Sequence, residues 1–243
     1  MRILIIRHGD PDYEHDTLTE TGWLEAAQLA ERIAKMDIKA FYVSPLGRAK
    51  DTASVTLKKM NRTATECPWL REFAPTIMRP DVTERRSISW DWLPQDWTRD
   101  ERYYQRELWK TTEIMREGKV DEEYDMVVTH FDKLLAEHGY RREGDNYLVE
   151  RPNRDTIAFF CHFGVECVLL SHLMNISPMI LWHHTCAAPT AVTGLYSEER
   201  RKGIAAFRMN FFGDVSHLYA ADMSPSFSAR FCETYDCTEE RHD

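Results

Sequence analysis

Apolar positions in this 243-residue chain follow two rhythms. Short unbroken runs, Ile3–Ile6 (ILII), Ala40–Val43 (AFYV) and Thr156–Cys161 (TIAFFC), predict strands buried on both faces, the pattern of parallel sheets. Elsewhere apolar residues return every three or four positions, which predicts helices. One is LTETGWLEAAQLAERIAKM, with Thr19 placed to cap it, and others cover Gly47–Met60 and Val165–Met174. A long helical pattern runs from about Glu107 to Tyr140. It sets Tyr124, Val127, Val128, Phe131, Leu134 and Leu135 on one face and is broken at Gly118. A short strand fits Thr63–Glu66, and residues 190–197 and 203–212 read as a hairpin around SEERRKG.

Strands alternating with helices predict an α/β fold, a three-layer α/β/α arrangement with a mostly parallel central sheet. Residues 1–243 are expected to form a single domain. Residues 67–109 break the rhythm, with Pro68, Pro75, Pro80 and Pro94 and Trp90, Trp92, Trp97 and Trp109. They read as a helical or irregular insertion whose tryptophans either form its core or serve as a lid. The stretch 223–243 reads as a loosely held polar tail.

Hydrophobic residues make up 43%, enough for a real core, and the formal charge is −9. That balance argues against a general nucleic-acid or anionic-membrane partner, yet leaves room for a small anion in a local basic pocket. The six cysteines form no CxxC pair and are expected to be reduced thiols. With no membrane-length apolar run and no signal-peptide pattern, a soluble cytoplasmic protein is expected. Monomer and homodimer stay equally open.

In open parallel sheets ligands bind at the carboxyl ends of the strands. Arg7, His8 and Gly9 leave the first strand there, His162 leaves TIAFFC there, and Arg48 opens the helix after the second strand. Two arginines and two histidines around a helix N-terminus suit a phosphoryl group, since guanidinium forks match phosphate oxygens. A neutral histidine can attack phosphorus through one ring nitrogen while a carbonyl holds the other, and Gly9 lets the backbone approach closely enough.

These stretches also carry a resemblance. LIIRHG, LTETG, SPLGRAKDTA around Arg48, LREF around Glu72 and FFCHFG around His162 resemble the histidine phosphatase superfamily, in its phosphoglycerate mutase-like branch with the RHG motif, over roughly residues 1–200. The resemblance implies that His8 is a nucleophile that becomes phosphorylated. Arg7, Arg48 and His162 would hold the phosphoryl oxygens, and Glu72 would act as general acid and then base. No metal or other cofactor is implied, and the partner would be a small phosphorylated substrate. The chain departs from the family's pattern where Asp10-Pro11-Asp12 follows RHG, so that an Asn many members use on the phosphoryl group is missing. It departs again where Phe163 follows His162, and where the acid's surroundings read LREFAP. The expected activity is a metal-independent phosphomonoesterase. The alternatives are a phosphoglycerate mutase-type phosphotransferase and a non-catalytic phospho-ligand-binding module on the same fold.

His183-His184 reads as pocket-rim histidines rather than a metal site, since no matching ligand pair exists, and His184 is a candidate substrate contact. Arg79, Arg85 and Arg86 are either solvated or a source of positive potential. The acids Asp10, Asp12, Glu14, Asp16 and Glu20 read as a solvated loop.

Overall fold

The computed structural model describes residues 1–228 and 230–242. In chain order it has β1 (Arg2–Arg7), the short pair β2 (Pro11–Asp12) and β3 (Thr17–Leu18), α1 (Glu20–Ile33), β4 (Ala40–Val43), α2 (Gly47–Met60) and β5 (Thr65–Glu66). The hairpin β6 (Thr76–Arg79) and β7 (Val82–Ile88) follows, then α3 (Pro94–Trp97), α4 (Glu113–Glu117) and α5 (Val120–Glu137). The chain continues through β8 (Tyr140–Glu143), β9 (Asn146–Val149), β10 (Thr156–Cys161), α6 (Phe163–Met174), α7 (Pro178–His184), β11 (Val192–Arg201), β12 (Ile204–Asp214) and α8 (Ser216–Tyr219).

Eight strands form the main sheet in the order β5-β4-β10-β1-β11-β12-β9-β8. The strands β5, β4, β10 and β1 are mutually parallel, and the long β11–β12 hairpin extends the sheet antiparallel from β1. The apolar runs split their side chains by the two-residue period of a strand. Leu4, Ile6, Ala158 and Phe160 pack with Leu29 and Ile33 of α1 and Ala53 of α2. Ile3, Ile5, Ile157 and Phe159 face the opposite way, into a core built with Phe131 of α5 and Val168 of α6. Helices therefore cover both faces, as expected. Thr19 caps α1 by accepting the Gly22 amide at 3.0 Å.

Two readings change within 67–109. The stretch does contain short helical turns, but 76–88 forms an antiparallel hairpin. Its outer strand, VTERRSI, is so polar and exposed that no alternation marks it. Trp92, Trp97 and Trp109 are buried and belong to the large core, together with Trp182. The long helical pattern is broken at Gly118 and Lys119, where Lys119 takes a left-handed conformation (φ 55°). A Cβ on Gly118 would lie 2.8 Å from the Thr76 carbonyl, so the hairpin packs directly on the break. Ser226 of the tail donates its hydroxyl to Asp10 at 2.8 Å, and its amide to Glu25 at 3.1 Å. Ala229 and Asp243 of that tail lie outside the described residues. Among the described residues no helix is long and apolar enough to cross a membrane.

Candidate active site

The sheet register brings the candidate residues together. Arg7 pairs with Cys161 and Val43 with Phe160, so His8, His162 and Ser44 leave three adjacent parallel strands at the same edge. The His8 amide donates to the Cys161 carbonyl at 3.0 Å, and the Ser44 amide to the Phe160 carbonyl at 2.9 Å. The approach to β11 closes the other side, with the Thr190 amide donating to the His8 carbonyl at 3.0 Å.

His8 is buried, and its Nδ1 lies 2.7 Å from the Gly9 carbonyl. A carbonyl can only accept, so Nδ1 carries the proton and Nε2 keeps its lone pair. Burial first, then the charge of Arg7, holds the imidazole well below its usual pKa, so it is neutral at pH 7. The Gly9 amide donates to Thr52 Oγ1 at 2.9 Å, so Gly9 offers its carbonyl to His8 rather than its N–H to a ligand. A Cβ there would lie 2.8 Å from the Gly22 carbonyl, so α1 packing also demands glycine.

His162, the N-cap residue of α6, has its ring centroid 5.1 Å from that of His8. Its Nε2 lies 2.7 Å from Ser44 Oγ, which accepts the Leu46 amide at 3.3 Å. The Ser44 hydroxyl proton can then be donated to Nε2, leaving an N–H on Nδ1, an atom with no protein partner. Burial, then His8 and the two arginines, also keep this ring neutral.

Arg7 is buried and anchors Nη1 on the Ala187 carbonyl at 2.5 Å. Arg48, at the second position of α2, donates Nη1 to Asp16 at 2.7 Å. The Nε of each guanidinium is buried without a partner. Both charges act on His8, His162 and Glu72 alike, so the five residues form one electrostatic cluster. Glu72 accepts the Phe73 and Val165 amides on Oε1, at 2.8 and 3.1 Å. Burial raises its pKa, against the pull of those amides and of Arg7 and Arg48. A cavity of about 550 Å³, open to solvent, has Arg48 and Glu72 in its wall.

Several residues join this cluster that the sequence reading passed over. Asp16 is not a solvated acid: besides pairing with Arg48 it accepts the Gly47 amide at 2.7 Å, at a left-handed residue (φ 49°) where the loop folds back on α2. Asp10 is likewise engaged, accepting the Thr19 hydroxyl at 2.7 Å. Glu166, one turn into α6, is 1% exposed and neither carboxyl oxygen makes a well-formed hydrogen bond. Burial pushes it up to about 7, against the pull of Thr193 and Arg7.

His184 is exposed, and its ring meets Trp97 at 5.9 Å rather than the cluster. His183 uses both ring nitrogens structurally, donating from Nδ1 to the Met179 carbonyl and accepting the Trp92 amide on Nε2. Arg79 pairs with Asp81, and Arg86 donates to the Thr76 carbonyl, so both serve the β6–β7 hairpin.

Comparison with known proteins follows the same lines. A sequence model described as the histidine phosphatase superfamily (branch 1) matches residues 3–210. A 2,3-bisphosphoglycerate-dependent phosphoglycerate mutase of Thermoplasma acidophilum is 35% identical over 69 residues, 24% of this chain and 34% of that protein, so the match spans about a third of the relative's length. The phosphoserine phosphatase of Entamoeba histolytica superposes with a TM-score of 0.59 at 17% identity, covering 89% of this chain and 98% of that one. A mycobacterial glucosyl-3-phosphoglycerate phosphatase gives 0.55 at 17% identity, covering 87% and 98%. Bacillus stearothermophilus YhfR gives 0.55 at 21% identity, covering 89% and 98%. At such identities these structures share the fold.

Proposed function

Because the chain belongs to branch 1 of the histidine phosphatase superfamily, we propose that it hydrolyses phosphomonoesters through a phosphohistidine on His8. One observation carries this reading: the Gly9 carbonyl fixes the proton of a buried, neutral His8 on Nδ1 and leaves Nε2 as a nucleophile beside two guanidiniums.

Phosphoryl oxygens are held by the free donors of Arg7 and Arg48 and by His162 Nδ1–H, which stabilise the charge of the transition state. His8 Nε2 forms the bond to phosphorus as the ester P–O bond breaks. Glu72, with its pKa raised and Oε1 fixed by two amides, gives its proton to the departing alkoxide. The resulting carboxylate takes a proton from water, whose oxygen attacks phosphorus. The P–N bond breaks, returning neutral His8 and inorganic phosphate. The fixed cations supply the electrostatic work without a metal ion.

The similar solved structures include a phosphoserine phosphatase and a glucosyl-3-phosphoglycerate phosphatase, which supports hydrolysis over transfer. The mutase reading draws on the 69-residue match alone. A pure binding module would need neither the exposed lone pair of His8 nor a proton donor at Glu72. Relatives' structures hold phosphoserine and 3-phosphoglyceric acid, which supports a small phosphorylated substrate.

The test is phosphate release from p-nitrophenyl phosphate and a panel of alkyl esters in EDTA, comparing wild type with His8→Ala and Glu72→Ala. EDTA-insensitive turnover lost in His8→Ala is expected. No turnover on any ester, with phosphate still bound, would move the assignment to the mutase or the binding module, which 3-phosphoglycerate plus a bisphosphate primer would separate.

A further inference from the structure

The cavity beside Glu72 does not end at the reacting atoms. A second cavity of about 420 Å³ adjoins it. Arg71 is the residue the two share, and it stands between them. A single stripe of the α5 segment runs along both: Lys119 and Glu123 line the inner compartment, Met126 and His130 the outer. These positions follow one another at steps of four, three and four residues, so they share one helix face. The loop before α2 and the helix's first turn do the same, giving Pro45 to the outer compartment and Leu46 and Arg48 to the inner.

The compartments differ in chemistry. The inner one carries Arg48 and Glu72, the groups that meet the phosphoryl group and the leaving oxygen. The outer one is apolar apart from Arg71 and His130, with Pro45, Pro68, Trp69 and Met126 in its walls. The Trp69 and His130 rings stack, 22° from parallel with centroids 6.5 Å apart. Between the compartments Arg71 pairs with Glu123 at 2.8 Å. The Arg71 side chain is 54% exposed, and an ion pair so open to water holds weakly and can be displaced.

We infer that the two compartments form one cleft, a leaving-group subsite, and that the substrate is a phosphomonoester whose alcohol carries an extended apolar tail, lying past Arg71 on Trp69 and Met126. On this reading a ring carried on a short alkyl linker meets the apolar walls of the outer compartment. The assignment rests on the phosphoryl group being seated at His8, as proposed above, because only then does the leaving group point along the cleft.

Binding of phosphonates tests this apart from chemistry, since a C–P bond offers no leaving oxygen. Calorimetry would compare propylphosphonate with 3-phenylpropylphosphonate on the whole chain. The phenyl compound is expected to bind at least about tenfold more tightly, about 1.4 kcal/mol. Met126→Glu, at a partly exposed position, is expected to bring that ratio close to one while leaving propylphosphonate affinity unchanged. A wild-type ratio below about threefold, short of what burying a phenyl ring supplies, would overturn the subsite. So would a ratio that survives Met126→Glu, or a failure of either phosphonate to bind. Turnover of p-nitrophenyl phosphate by wild type and His8→Ala, run alongside, reports on the reaction alone. Tail discrimination without His8-dependent turnover keeps the cleft and removes the phosphatase; turnover without discrimination does the reverse.

Discussion

Replacing Glu166 with Gln should make the protein more stable above neutral pH. Its carboxyl is buried on α6 with no well-formed hydrogen bond, and burial pushes it from 4.5 to about 7. The unfolded chain loses this proton near the ordinary value, while the folded chain holds it until about 7. The neutral form's contribution is therefore fully present below about 4.5 and is lost as pH rises through 7. The gap corresponds to about 3 kcal/mol at 1.36 kcal/mol per pH unit. Around the carboxyl lie Arg7, Glu72 and Thr193, with Cys161 and Cys167, whose burial keeps both thiols neutral throughout this range. Glu166→Gln keeps the shape and removes the ionisation. The two proteins should unfold alike within about 1 kcal/mol near pH 5, both burying a neutral polar group. At pH 8 the variant should melt roughly 6–12 °C higher, at about 2–4 °C per kcal/mol for a chain of this size. Thermal unfolding followed by circular dichroism from pH 5 to 8 measures both. Melting temperatures that stay parallel across that range would refute the reasoning, and with it the burial of an ionisable carboxyl beneath Arg7.

Other outcomes follow from the site. Glu72→Gln should lower kcat/KM, which reports the steps up to leaving-group departure, on alkyl phosphates by about 10²–10⁴-fold, the range of a lost general acid, and much less on p-nitrophenyl phosphate, whose leaving group needs no proton; equal losses in kcat/KM would remove Glu72 as the acid. Gly164→Ala would set a Cβ 2.6 Å from Glu72 Oε1 and from the Trp90 indole nitrogen. Initial rates on alkyl phosphates should fall, and the melting temperature should drop by an amount matching about 1–3 kcal/mol of overpacking. Since burial and the arginines hold both His8 and His162 well below their usual pKa, the acidic limb of kcat/KM on a pH series should lie well below 6.5, while loss of the Glu72 proton sets the fall on the alkaline side. An acidic limb centred at 6.5 would contradict the lowered pKa of the two rings.

The sheet and most of the cluster were legible because buried parallel strands announce themselves as unbroken apolar runs, and their carboxyl ends are where ligands bind. Arg7, His8 and His162 follow such runs directly. Glu166 was hidden by the same simplicity: α6 is buried on nearly every side, so no periodicity separates an inward carboxyl from an outward one. Asp16 was hidden among neighbouring acids, since its meaning depends on the loop folding back onto α2. Ser44 and Thr52 act through single hydroxyls that sequence cannot aim. The β6–β7 hairpin carries too many charges for its alternation to show. His184 packs its ring against Trp97, a contact that depends on how α7 is placed and that its own segment does not announce.

The proposed reaction passes through a covalent phosphohistidine on His8. Rapid quenching of the enzyme during turnover of a phosphate-labelled ester, followed by alkaline peptide mapping, tests it most directly. An acid-labile, alkali-stable phosphoryl group on the peptide containing His8 is expected, absent from His8→Ala. Continued turnover by His8→Ala, or label confined to another residue, would contradict the account.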